Sequence, residues 1–112
     1  MKKSKHTSEH YFWGTACEGW RLLDSAGLSI IEERMPPDTQ EKKHFHQTSQ
    51  QFFYILEGEA TFIVEEELTK VMAGEGIHIE ARQRHLIQNR GERSLVFLVI
   101  SQPSTIGDRI EI

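Results

Sequence analysis

The chain has 112 residues, with 13 Lys and Arg against 17 Asp and Glu, a formal charge of -4 with histidine neutral, and a hydrophobic fraction of 38%. This length sets one compact domain as the upper limit, and no apolar run approaches the ~20 residues that a membrane-crossing helix needs, so a transmembrane protein is excluded. The acidic balance, with no basic stripe to replace phosphate counterions, argues against a nucleic-acid partner.

The basic start Lys2, Lys3, Lys5 is followed by His6, Thr7, Ser8 and Glu9. No apolar stretch follows as a secretory signal requires, and a cytoplasmic location is expected. Tyr11, Phe12, Trp13 and Trp20 are too apolar for a free tail. Residues 1–24 are therefore expected to pack on the remainder of the chain or on a second subunit, with residues 25–112 forming the main body. Cys17 is the only cysteine; it rules out an internal disulfide, fits a reducing compartment, and reads as a small buried hydrophobe.

Beyond it, β-rich bursts recur at 28–35, 51–56, 60–64, 77–79, 85–89 and 95–100, with no helical periodicity between them. Breakers separate them: Pro36-Pro37-Asp38, Glu57-Gly58-Glu59, Glu65-Glu66-Glu67, Ala73-Gly74-Glu75-Gly76 and Arg90-Gly91-Glu92. Many short strands with frequent turns predict an all-β sandwich or barrel.

Six histidines in so short a chain direct attention to their spacing. In His44-Phe45-His46, positions two apart on a strand point the same way, so both imidazoles can reach one metal. Taken alone, the pair fits two surface histidines as well. Gln51 has the opposite parity to His46, but the polar stretch 47–50 can turn the chain and reset the face, grouping Gln51 with Phe53 and Ile55. His85 shares a face with Ile87 and Asn89 and supplies a third imidazole if its strand neighbours that of His44. His78 alternates with Ile77 and Ile79 and is expected outward. His6 and His10 are expected in solvent, and Asn89 is expected to hold a turn.

These residues resemble the two motifs of a small single-domain cupin. Asp38, His44, His46, Gln51 and Gly58 stand at the spacings of the first motif, and Gly74, Glu80, Arg82, His85 and Asn89 at those of the second. The resemblance implies a double-stranded β-helix, the jelly-roll barrel of two antiparallel sheets. It also implies one divalent metal, Zn, Ni, Fe, Mn or Cu, held by His44, His46, Gln51 and His85 and capped by Phe53, Phe62 and Phe97. Cupins often pair, and a homodimer is expected.

Three departures matter. Gln51 stands where the family carries a carboxylate, so the ligand set would be neutral and the metal a stronger Lewis acid; the alternative is a site that has lost its metal. Glu80 and Arg82 replace a Pro and a Gly in the turn before His85, where they could grip a substrate or form a solvated ion pair. Asp38 stands where the first motif has Gly.

The leading expectation is a metal-dependent isomerase or tautomerase acting on a small oxygen-rich, sugar-like or carboxylated molecule. Glu33, alternating with Ile31 and Met35, is the candidate proton-transfer residue, although an exposed glutamate without a catalytic part is the plainer reading. A cupin dioxygenase using the same ligands and a non-catalytic ligand-binding module are the alternatives.

Overall fold

The computed structural model describes residues 1–112 and consists of twelve strands, numbered here in chain order, in two antiparallel sheets. The first sheet runs β1 (Glu9–Trp13), β2 (Cys17–Asp24), β3 (Ser29–Met35), β11 (Leu95–Gln102), β6 (Gln50–Glu57), β9 (Gly76–Ile79). The second runs β12 (Arg109–Glu111), β5 (His44–His46), β10 (His85–Asn89), β7 (Glu59–Val64), β8 (Glu67–Met72), and the short β4 (Thr39–Gln40) also pairs with β10. The two sheets face one another as a double-stranded β-helix.

Alternation along the central strands builds the interior. Gln51, Phe53 and Ile55 point inward from β6, and Leu95, Phe97, Val99 and Ser101 from β11, while Phe52, Tyr54 and Leu56 are turned out to solvent. Phe62 from β7, with Met35, Ile79 and Ile87, completes a continuous apolar cluster. Burying Phe62 and Phe97 fully stabilises the fold by about 1.5–3 kcal/mol each. Cys17 joins this cluster with no exposed surface.

All six strands read from the sequence are present, with ends shifted by at most two residues. Those that composition did not reveal, β1, β2, β4, β8 and β12, lack clean alternation. In β8 only Val71 is buried, and every residue of β12 is exposed. The edge strands β1, β8 and β12 are held by their pairing partners, leaving no periodic apolar signature.

Two turns show why particular backbones are needed. Gly58 has φ +84, and a Cβ there would stand 2.7 Å from the Ser94 carbonyl oxygen, so the chain passes too closely for any other residue. Asp38 and Arg82 adopt the left-handed conformation at φ 63 and 71, although neither is glycine. At both positions the cupin motifs carry Gly, and the turns keep that backbone without it.

Candidate metal centre and cavity

His44 and His46 project inward from β5, and His85 pairs directly with His44 across the β5–β10 ladder, so its side chain leaves the same face. Ring centroids are 5.0 Å apart for His44 and His46, 4.4 Å for His44 and His85, and 5.8 Å for His46 and His85. One nitrogen from each ring lies within 4.8 Å of the others, and all three residues are buried.

Gln51 arrives from the opposite sheet. The stretch 47–49 carries the chain from β5 across to β6 and resets the inward face. Its Nε2 donates to Ser101 Oγ at 3.1 Å, and its Oε1 is left buried with no partner. His46 Nδ1 and His85 Nε2 are likewise buried and unpartnered. Buried polar atoms without partners are uncommon, and unpartnered lone pairs beside a cluster of three imidazoles suit a cation.

Hydrogen bonds fix the rings for that task. Nδ1–H of His44 donates to the Lys42 carbonyl at 2.8 Å, and Nδ1–H of His85 to the Gln83 carbonyl at 2.9 Å. Each bond sets the tautomer that turns the Nε2 lone pair inward. Burial lowers all three imidazoles, His44 to about 3 and His46 to about 4; repulsion from Arg109 adds to the effect on each, and repulsion from His85 adds to it on His44 and His46. They stand neutral at pH 7, the form that binds metal.

A cavity of about 570 Å³ opens beside His44, His46 and Gln51, and its other wall carries Tyr11, Glu33, Glu41 and Arg109. Glu33 is half-buried, not the exposed side chain of the plainer sequence reading, and accepts a 2.8 Å bond from the Tyr11 hydroxyl. Burial pushes its carboxyl up to about 7, against the opposing pull of the Tyr11 bond, Arg109 and Arg21. Burial, together with repulsion from Glu33, raises Glu41 to about 8, and its Oε1 has no partner.

Tyr11 reaches Glu33 because Gly19 lies between them. Tyr11 is paired with Gly19 across β1–β2, and Gly19 with Glu33 across β2–β3. A Cβ on Gly19 would overlap the Tyr11 ring, so the bare backbone is the channel along which the ring lies.

The C-terminal strand completes the mouth. Asp108 accepts the Ser49 and Thr48 amides at 2.8 and 3.0 Å, clamping β12 onto the β5–β6 loop. Slight desolvation of this carboxyl is outweighed by those N–H bonds, which hold it below the usual range. Arg109 then pairs directly with His46.

Other candidates lie elsewhere. Phe53 packs on Phe62 and Phe97, with its ring 6.4 Å from that of His85, as a floor beneath the imidazoles. Asn89 Nδ2 donates to the Met35 and Arg93 carbonyls and serves the turn. His78 is exposed and bonded to Gln50, and His10 lies exposed on β1 against Glu18. Glu80 and Arg82 form no ion pair and do not line this cavity, so the substrate-gripping pair is not formed; Glu80 uses its backbone N–H to bond Gln83.

Sequence reasoning missed Tyr11, Gly19, Glu41 and Arg109 as parts of this wall. A glycine beside Trp20, in a segment that also carries Tyr11, Phe12 and Trp13, was the one available signal, since such a glycine often marks a close approach.

Comparison with known proteins agrees with this architecture. Residues 31–101 match the sequence profile of the family described as "Cupin domain". Over 75 residues the chain is 33% identical to an uncharacterized protein of Methanocaldococcus jannaschii; the match covers 67% of this chain and about 60% of that relative's length. Among solved structures, a sugar phosphate isomerase of the cupin superfamily from Silicibacter pomeroyi superposes with TM-score 0.80 at 17% identity, covering 93% of this chain and 76% of the other. A predicted oxalate decarboxylase from Thermotoga maritima gives 0.82 at 22%, over 93% and 100%. The polyketide cyclase RemF from Streptomyces resistomycificus gives 0.83 at 18%, over 100% and 85%. At these identities the structural likeness speaks for the fold alone.

Proposed function

The chain belongs to the cupin family, and from that premise we propose that it is a metal-dependent enzyme of isomerase or tautomerase type acting on a small oxygen-rich molecule. His44, His46, Gln51 and His85 are the proposed ligands of one divalent metal, and Glu33 is the proposed proton-transfer residue.

The observation that carries this reading is the position of Glu33. A carboxyl raised to about 7 opens into the same cavity as the neutral imidazoles of His44 and His46, at a proton affinity that lets it take and return a proton near neutral pH. When bound, a divalent metal supplies Lewis acidity that favours negative charge on a substrate oxygen. Tyr11 holds the Glu33 carboxylate toward the cavity, and the phenylalanine floor excludes water from beneath the imidazoles. Because the four donors are neutral, nothing in the ligand set competes with an anionic oxygen for the metal's charge.

The test follows carbon-bound hydrogen. Metal-loaded protein in D2O, offered a panel of hydroxyketones and hydroxyaldehydes, is expected to exchange the hydrogen next to the carbonyl, as read by NMR, and Glu33→Gln is expected to lose that exchange. Retained exchange in the variant would remove Glu33 from the mechanism. Oxygen uptake without exchange would replace isomerisation with dioxygenase chemistry.

A further inference from the structure

The cavity wall facing the imidazoles carries a guanidinium whose hydrogen-bonding capacity is hardly used. Arg109 lies opposite His46 on adjacent antiparallel strands, and residues so paired project from the same face with Cβ atoms about 4.5–5.5 Å apart. Its side chain therefore rises beside the proposed metal ligands.

Its present partners are distant. The nearest carboxylate oxygen is Glu111 Oε2 at 3.3 Å, the Lys42 carbonyl lies at 3.5 Å, and Glu41 Oε2 stands 3.9 Å away. A committed guanidinium–carboxylate pair closes to about 2.7–2.9 Å and is commonly bidentate. None of these contacts does so, and Glu41 Oε1 remains buried without any partner. Arg109 thus keeps donors for a guest, and Glu41 keeps an oxygen for one.

The charge around the cavity agrees. Arg21, Lys42 and Arg109 line it together with three carboxyl groups, Glu33, Glu41 and Glu111. Two of those carboxyls are raised to about 7 and about 8, so they do not fully cancel the cations near neutral pH. Resting on the metal-enzyme reading, whose four ligands add no negative charge, the cavity favours an anionic guest. A planar, forked donor set selects a carboxylate over a neutral oxygen.

We propose that Arg109 is a substrate-carboxylate subsite, so that the substrate class is a small hydroxycarboxylate whose acid group sits on Arg109, whose hydroxyl meets Glu41 Oε1 and whose remaining oxygens face His44, His46 and Gln51. The Asp108 clamp is what keeps this arginine in place over the cavity.

D-gluconate and D-glucitol share a carbon skeleton and differ by the carboxylate, which makes them direct probes. Calorimetric titration is run on the full chain, both loaded with zinc and stripped with EDTA, so that metal uptake is scored separately. Expected is gluconate binding in both forms with no detectable glucitol binding to the stripped form, a loss of at least tenfold in gluconate affinity for Arg109→Gln, and a smaller loss for Arg109→Lys. If the chain takes up no zinc but gluconate binding still depends on Arg109, the metal reading falls and the subsite stands. Equal binding of gluconate and glucitol to the stripped form, undiminished gluconate binding by Arg109→Gln, or tighter Arg109-dependent binding of inorganic phosphate than of gluconate would overturn the carboxylate subsite.

Discussion

Tyr11 and Glu33 are joined by a 2.8 Å hydrogen bond that crosses the intervening strand over the bare backbone of Gly19. The bond lowers the Glu33 proton affinity against the larger effect of burial. Hydrogen bonds to charged groups contribute about 1.5–3 kcal/mol, and 1.36 kcal/mol corresponds to one pH unit. Tyr11→Phe is therefore expected to move the acidic limb of the pH–rate profile upward by on the order of one pH unit. Gly19→Ala, which displaces the same ring, should reproduce that shift while leaving zinc stoichiometry unchanged. An unmoved profile in both variants would reduce Tyr11 to a packing residue.

Metal affinity should respond to charge at position 51. Gln51→Glu adds a carboxylate where a neutral amide oxygen now lies unpartnered, and zinc binding is expected to tighten by at least tenfold in competition with a chromophoric chelator. His85→Ala deletes an imidazole that is fully buried and already oriented by the Gln83 carbonyl, and tight binding should vanish. Unchanged affinity in both variants would remove these residues from the ligand set.

Glu41 predicts a pH-dependent stability of defined sign. Its carboxyl is raised from 4.5 to about 8 by burial and by Glu33, so the folded chain holds this proton more tightly than the unfolded chain does. The resulting stabilisation is fully present below pH 4.5 and is lost as pH rises through about 8. Glu41→Gln has no charge to bury. In urea melts of the metal-free protein it should match the parent near pH 4, gain on it progressively across this window, and level off above pH 9. A constant difference at all pH values would show that the carboxyl does not titrate in this range.

Arg82 carries backbone strain that a substitution can release. A side chain at φ 71 costs about 1–2 kcal/mol, part of which glycine returns through its greater freedom in the unfolded chain, about 0.5–1 kcal/mol. Arg82→Gly is expected to stabilise by about 0.5–1 kcal/mol, read as a rise of a few degrees in Tm. Asp38→Gly should do less, because Asp tolerates this conformation better. A lower Tm for Arg82→Gly would mean that the exposed arginine makes contacts worth more than its strain.

The interior of the barrel was legible because period-two alternation survives in the central strands β6, β10 and β11. It placed His44, His46, His85 and Gln51 on inward faces and showed the β10 strand from its first residue to its last. The second wall of the cavity was not legible. Tyr11, two strands from Glu33, turns inward only because Gly19 on the strand between them leaves room, a relation between residues distant in sequence. Arg109 belongs to a three-residue strand with no apolar member buried, and only the Asp108 clamp assigns it a partner. Glu41 is a charged residue in a polar run, made interior by the short β4 and the approach of β12.

The four proposed ligands do not come from one layer of the fold. His44, His46 and His85 stand on one sheet, and Gln51 alone stands on the other, braced by Ser101 of β11. An ion gripped by all four would be a rivet through the sandwich, coupling two layers that otherwise meet mainly through packed side chains, with the Asn89–Met35 hydrogen bond at the far end of β10. Position 51 then governs mechanical tightness as well as chemistry: a neutral, weakly donating amide leaves the layers able to breathe apart around a guest, whereas a carboxylate would lock them.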